Sequence, residues 1–393
     1  MKILAITSGY PDSTYTIKKL FVHDQNIAFI EEGCLVEVLN LNAIEESLDG
    51  EIYQSIKVYK LKKSANNLLK VFHNLKQLKK IFSNKKYDLV LYNGLATNQF
   101  LFFSFFKSIS TQTACLVLGS DGMLDSKNIF RNLIRKIILK KLDWIFPISN
   151  FTDTVVGDLE GRTDKTAQKS VIAYCGFNPK KFTNVLKQTK KELRIKYDIP
   201  QDTYVVLTVC DLIPRKGVDI LVRAMVEYAK KDKNFIHIII GQGEDKEKIL
   251  NYAKEHNILN NIRQIDYIAD DYELVEYYRV SDVYCMLSKT FYNPPASEGF
   301  GTSYVEASYM GIPVIGGNNG GTSSSIKHNF TGYLVDPYSL NCYLDVSHYL
   351  LVLQTDKEEY ERLSKNGQYM ASKEFTWNDN VKTIIKTIKE SKK

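Results

Sequence analysis

An alternation that runs the length of this chain and restarts at its middle constrains the fold more than any other feature. Short apolar or β-branched runs, Ile3 to Thr7, Val36 to Asn40, Asp88 to Tyr92, Ala114 to Leu118, Trp144 to Ile148 and Val171 to Tyr174, are separated by segments of helical period. A second series follows: Tyr204 to Val209, Phe235 to Ile240, Ile262 to Tyr267, Val283 to Leu287, Pro313 to Gly316 and Gly332 to Val335. Alternating strands and helices predict a mainly parallel sheet with helices on both faces. Two series predict an α/β chain of two doubly wound, Rossmann-like domains, residues 1–185 and 204–374. A polar, Lys-rich linker is expected at 186–203, and a terminal helix at 375–393 is expected to return to the first domain. Ligands of such sheets bind beyond the carboxyl ends of the strands, so the expected active site is a cleft between two facing domains.

Charge divides along the same line. Residues 1–200 carry 30 Lys+Arg against 19 Asp+Glu, whereas residues 201–393 carry 22 against 26, within a net charge of +7. In the basic half, ten lysines from Lys57 to Lys86 surround Leu68, Leu69, Phe72, Leu75, Leu78 and Phe82. A second stretch sets Arg131, Arg135, Lys136, Lys140 and Lys141 against Leu133, Ile134, Ile137, Ile138 and Leu142. Both read as basic amphipathic helices, a pattern suited to an anionic membrane surface or a polyanionic ligand. Nucleic acid, the other partner of a basic face, is disfavoured because no helix-turn-helix, zinc or RNA-binding signature accompanies the charge. No segment approaches the roughly 18 consecutive apolar residues of a membrane span. The amino terminus reads as a first strand with no cleavage site, which predicts a cytoplasmic protein, and the basic amphipathic helices predict a peripheral place on the inner face of the membrane. Six scattered cysteines form no C-x-x-C pair and the six histidines no i, i+4 pair, so no metal site is expected.

The chemistry concentrates in the second half. Glu298-Gly299-Phe300-Gly301-Thr302-Ser303-Tyr304-Val305-Glu306 places two carboxylates eight residues apart across a glycine-broken loop that opens a helix. The glycines allow close approach of backbone to a ligand, and a helix start at Thr302 favours an anion such as a diphosphate. The carboxylates suit sugar hydroxyls, since a charged acceptor strengthens an O–H hydrogen bond. Strand Tyr204 to Val209 leads into Pro214-Arg215-Lys216-Gly217, two cations at a strand-to-helix turn able to neutralise a leaving pyrophosphate. Gly241-Gln242-Gly243 and Gly316-Gly317-Asn318-Asn319-Gly320-Gly321 are further strand-end glycine turns.

In this order the elements resemble the group 1 retaining nucleotide-sugar glycosyltransferases, whose GT-B fold has two facing Rossmann-like domains. The resemblance covers nearly the whole chain and is most specific from Val205 to Pro337, where Ser281-Asp282-Val283 and Gly332-Tyr333-Leu334-Val335-Asp336-Pro337 join the motifs above. It implies that Lys216 with Arg215 holds the donor diphosphate, that Glu298 binds the transferred sugar and Glu306 the ribose, and that Gly299 to Thr302, with Gly241 and Gly243, line the donor site. On the acceptor side it implies Gly119, Ser120 and Asp121. It further implies hexosyl transfer with retention and no cofactor beyond the nucleotide sugar; the lack of an Asp-x-Asp disfavours a metal-dependent enzyme, and the basic, amphipathic first domain fits a lipid-linked or surface-glycan acceptor, as in bacterial polysaccharide or glycolipid synthesis. Cys210-Asp211 stands where the family often has Gly-Arg, Leu118 where it often has His, and Tyr15-Thr16-Ile17-Lys18-Lys19 replaces its first glycine-rich turn. These departures leave two alternatives: a non-catalytic partner subunit, or an epimerase or hydrolase of the same fold. An NAD-dependent oxidoreductase is disfavoured because Thr7-Ser8-Gly9-Tyr10-Pro11 is not a dinucleotide fingerprint.

Overall fold

The computed structural model describes residues 1–11, 20–44, 50–61, 70–161, 169–268 and 270–391. The Tyr15-to-Lys19 segment and the pair Leu68 and Leu69 lie outside the described residues. Two compact units emerge. The first comprises Met1–Gly176, Tyr292–Pro295 and Trp377–Lys393, and the second Phe177–Phe291 and Ala296–Thr376.

The first unit is built on a seven-stranded sheet of order β3-β4-β2-β1-β5-β6-β7. Its strands are β1 (Lys2–Thr7), β2 (Leu35–Ile44), β3 (Glu51–Tyr53), β4 (Ile56–Leu61), β5 (Tyr87–Asn93), β6 (Ser110–Val117) and β7 (Trp144–Pro147). All neighbours are parallel except the β3–β4 hairpin. That hairpin escapes a sequence reading because Lys57 and Lys60 interrupt its apolar pattern. Lys60 is nonetheless buried, its ammonium 2.6 Å from Glu51. The expected strand Val171 to Tyr174 is not one. The segment runs beside β7, with Val171 and Ala173 donating to the carbonyls of Ile145 and Pro147, but only Ser170 bridges to Ile145. The Trp377–Glu390 helix packs on the Leu20–Glu31 helix. Asn380 accepts from Gln25 at 2.7 Å and donates to the carbonyls of Ala173 and Tyr174.

The order of this sheet creates a switch point between β1 and β5, whose chains depart in opposite directions. Thr7 pairs in register with Asn40, and Ile6 with Tyr92, so Asn40, Thr7 and Asn93 form a row on one face at the strands' carboxyl ends.

The second unit carries a fully parallel six-stranded sheet of order β10-β9-β8-β11-β14-β15. Its strands are β8 (Tyr204–Val209), β9 (Phe235–Ile240), β10 (Ile262–Ile265), β11 (Val283–Met286), β14 (Val314–Gly317) and β15 (Gly332–Val335). A two-residue ladder, β12 (Phe291–Tyr292) with β13 (Pro295–Ala296), falls between β11 and β14 in sequence. Continuous apolar strands such as FIHIII fit a sheet covered on both faces. His237 within β9 is fully buried, its Nε2 2.9 Å from the Thr208 hydroxyl, and burial pushes the imidazole down to about 3.

The expected linker at 186–203 is instead part of this unit. It contains the Lys190–Lys196 helix, capped by Thr189 and Glu192. Arg194 donates to the carbonyls of Val280, Gln201 and Thr203 and, at 2.8 Å, to Asp282, which also accepts the Val205 amide and pairs with Lys190. Asp282, singled out by motif alone, thereby ties the helix to the starts of β8 and β11. The polarity that suggests a linker belongs to a buried ionic brace.

Candidate active site

β8 ends at Val209, and the chain turns through a single 3₁₀ turn, Pro214–Lys216, before the Val218–Ala229 helix. The exit of β11 is sewn to this turn, since the Leu287 amide donates to the Lys216 carbonyl and the Lys289 amide to the Arg215 carbonyl. Fixed in this way, Lys216 places its ammonium 2.6 Å from Glu298 Oε2. Arg215 Nη1 reaches the same oxygen at 3.4 Å and the Ser288 hydroxyl donates to it at 3.1 Å. All three side chains bearing the charges are largely buried. Burial alone would raise the Glu298 carboxyl, but the Lys216 ammonium, then Arg215 and Ser288, outweigh it and hold the group below the usual carboxylate range. Three residues 82 and 83 positions distant, or supplied by the neighbouring strand end, thus converge on one carboxylate oxygen. Ser288 is a participant that sequence reasoning missed, and its only signal is its place just past the end of a strand.

The glycines have specific reasons. Gly241 and Gly243 abut the loop after β8, where an added Cβ would lie 1.8 Å from the Cys210 carbonyl oxygen and 2.3 Å from that of Leu212. Backbone bonds from Cys210 to Ile240 and from Leu212 to Gln242 close the same junction. Their glycine identity therefore serves the packing of two strand-end loops. In the E-x7-E loop, the Gly321 amide donates to the Glu298 carbonyl, and a Cβ on Gly321 would come within 2.0 Å of the Gly299 carbonyl oxygen. The two glycine-rich turns interlock as one piece. Gly301, at φ +88°, precedes the Thr302–Tyr309 helix, with Thr302 and Ser303 half-buried in its first turn. The Phe300 ring faces inward onto Phe375, and its carbonyl accepts from Ser325.

Glu306 is half-buried, and Oε2 accepts from the Tyr278 hydroxyl at 3.1 Å. Tyr278, Tyr284 and Tyr304 form a buried floor beneath these loops. Tyr284 donates to Ser303 at 2.8 Å and lies 3.1 Å from the Val209 carbonyl, while Tyr304 bonds to the Met286 carbonyl. No sequence pattern separates these tyrosines from ordinary core residues. Asp211, in place of an expected cation, is exposed, and Arg215 is the second cation at Glu298.

In the first unit, Asp121 is occupied by the backbone. Its two oxygens accept from the amides of Leu95 (2.8 Å), Leu118 (3.0 Å) and Gly119 (2.8 Å), joining the exits of β5 and β6. Gly119 and Ser120 accept from the amides of Gly122 and Met123 within the same loop. The arrangement gives Asp121 a bracing role. The sequence reading overlooked Asn93, whose carboxamide is buried at the switch point with no hydrogen-bond partner among the described residues.

A family model for glycosyl transferases group 1 matches residues 189–370, the span that holds Lys216, Glu298 and Glu306. That match covers a little under half of the chain and makes its second half similar to the group 1 glycosyl transferases. Over 188 residues it is 29% identical to a Mycobacterium tuberculosis GDP-mannose-dependent alpha-(1-6)-phosphatidylinositol monomannoside mannosyltransferase, 48% of each chain. Over 153 residues it is 27% identical to the Escherichia coli O-antigen biosynthesis glycosyltransferase WclY, covering 39% of this chain and 38% of that one. The chain spans about half the length, or less, of these curated relatives. As a fold, the chain matches a Rickettsia africae glycosyltransferase with a TM-score of 0.76 at 18% identity, over 99% of this chain and 98% of the other. It matches Anabaena Alr3699/HepE, solved in complex with UDP-glucose, with a TM-score of 0.73 at 18% identity, over 99% and 100%. The fold is GT-B.

Proposed function

We propose that this protein acts as a group 1 glycosyl transferase, moving a hexose-type unit from a nucleotide diphosphate sugar to an acceptor hydroxyl with retained anomeric configuration. The observation that carries the reading is the convergence of Lys216, Arg215 and Ser288 on Glu298. A diphosphate needs fixed cations and a sugar needs a charged acceptor for its hydroxyls, and here both stand at one strand-end junction. In the proposed reaction the bond from the anomeric carbon to the phosphate oxygen breaks as the acceptor oxygen attacks from the same face. The acceptor's proton passes to the departing phosphate. Lys216 and Arg215 stabilise the charge that develops on the diphosphate, Glu298 orients the sugar, and Glu306 accepts from the ribose. No cofactor or metal enters the proposal, because the two cations supply the neutralising charge. The acceptor is a lipid-linked or surface glycan at the inner face of the cell membrane, in bacterial polysaccharide or glycolipid synthesis. The mycobacterial and O-antigen relatives support that class.

The test is thermal stability against UDP, GDP, ADP, CMP, TDP and NAD, since a ligand of the native state raises the midpoint by mass action. Guanosine and uridine come first, given the GDP-mannose relative and the UDP-glucose complex. A shift with one nucleoside diphosphate, followed by donor-dependent transfer that survives chelation, is the expected result. Silence with all of them overturns the donor reading, and donor binding without turnover favours a non-catalytic subunit.

A further inference from the structure

The Ile129–Lys141 helix of the first unit is apolar on two sides. Asn128 caps it by accepting the Arg131 amide, and its inner side buries Ile138 and Leu139. Its arginines also turn inward: Arg135 donates to the Met123 carbonyl and Arg131 pairs with Asp125 at 2.9 Å. Four further large apolar residues face solvent, Ile129 (78% exposed), Phe130 (71%), Leu133 (52%) and Ile137 (45%). At about 100° per residue they span one arc of roughly 100°. Lys140 lies within that arc and Lys136 and Lys141 lie on its two sides, while the helix IFRNLIRKIILKK contains no acidic residue.

An outer stripe of this kind serves no core of its own unit. We propose that this face docks on an anionic lipid bilayer, with Ile129, Phe130 and Leu133 entering the headgroup boundary and Lys136, Lys140 and Lys141 meeting lipid phosphates. A protein partner would match the apolar arc equally well. The lysine fringe, free of any carboxylate on the helix, selects a surface of uniform negative charge. The other basic helix does not qualify: in Lys70–Phe82, Leu78 and Phe82 are buried, and its exposed apolar residues, Val71 and Phe72, are confined to the first turn. The inference rests on the proposed membrane-presented acceptor for its purpose only, since docking needs no sugar transfer.

Sedimentation of the full chain with vesicles tests it, using phosphatidylcholine alone and phosphatidylcholine mixed with phosphatidylglycerol. The wild type is expected to pellet with the mixed vesicles, less so at high salt, and to stay in solution with the neutral ones. Ile129→Ser/Phe130→Ser/Leu133→Ser should abolish pelleting. Lys136→Gln, Lys140→Gln and Lys141→Gln should each weaken it about fivefold. Phe72→Ser should leave it unchanged. Thermal midpoints equal to wild type show that each variant is folded, and they read independently of whether any nucleotide binds. Equal pelleting of the serine variant, no binding of wild type to mixed vesicles, or a dimer that the serine variant dissociates would each overturn the assignment.

Discussion

The carboxyl ends of the two sheets handle polar groups in opposite ways. In the second unit, β8, β11 and the loop before Thr302 bring opposite charges into direct contact, and Glu298 holds three partners on one oxygen. In the first unit, the row Asn40, Thr7 and Asn93 contains no charge, and the nearby carboxylate of Asp121 is consumed by backbone amides. A site for phosphate has to keep cations, and cations on a strand-end turn are conspicuous in a sequence. A surface for neutral hydroxyls works with amides and backbone, which look like any other polar residue. Under the proposed function, this contrast explains why one half of the molecule declares its chemistry and the other conceals it.

The sharpest way to break this contrast is Glu298→Gln. It should lower transfer on the order of 10²–10³-fold, as expected for loss of one preorganised polar group, while circular dichroism stays native. Near-normal turnover would remove the charged centre from the second unit. Because the carboxyl sits below the usual range, affinity for a nucleotide diphosphate sugar, whose esterified diphosphate lacks the proton that a terminal phosphate gains at about pH 6, should stay flat as pH falls from neutrality to about 5. Loss of binding within that window would mean that another group titrates. Next in size, Lys216→Ala should weaken nucleoside diphosphate binding by about 1.5–3 kcal/mol, the worth of a charged hydrogen bond. Arg215→Ala should cost less, given its longer contact with Glu298. Calorimetric titration of both variants orders the two cations, and a reversed order would make Arg215 the principal phosphate ligand.

His237 gives the second unit a titration of its own. Its folded value lies near 3 and its unfolded value near 6.5, so the unfolded chain binds more protons between them. The contribution of the neutral imidazole is complete above about 6.5 and declines as pH falls, by about 2 kcal/mol at pH 5. His237→Gln should flatten the midpoint-against-pH curve over that interval, and an unchanged slope would locate the proton elsewhere. The smallest effect is expected in the first unit. Asn93→Leu replaces a buried carboxamide that has no partner among the described residues by an apolar group of similar size, so the midpoint should hold or rise. If Asn93 meets acceptor hydroxyls, the KM for acceptor should increase while nucleotide affinity does not move. A fall in both midpoint and nucleotide affinity would show that the quiet face of this comparison is structural.

Most of the fold was legible because parallel strands buried on both faces read as uninterrupted apolar runs, as in β8 and β9. The exceptions share a cause. Lys60 in β4 and Arg194 in the supposed linker are charges taken into the interior by partners on other elements, Glu51 across the hairpin and the remote Asp282, and polarity alone disguised both elements. Within the site, Glu298, Glu306 and Lys216 stood out through motif spacing. The pairing of Lys216 with Glu298 did not, because 82 residues separate them. The tyrosine floor and Ser288 were illegible for a different reason: their contribution is a hydroxyl aimed at a carbonyl or carboxylate, and direction is absent from sequence.

The interlocked turns at Gly299 and Gly321 have a consequence for how mutational maps of this protein should be read. A substitution at Gly321 would displace the backbone of the loop that aims Glu298, so its loss of activity would match that of a residue in the reaction itself. Saturation mutagenesis scored by turnover alone would draw a larger catalytic centre than the molecule possesses, with its border set by steric contact between main chains. Only positions where a substitution spares the midpoint yet removes turnover would mark the chemistry.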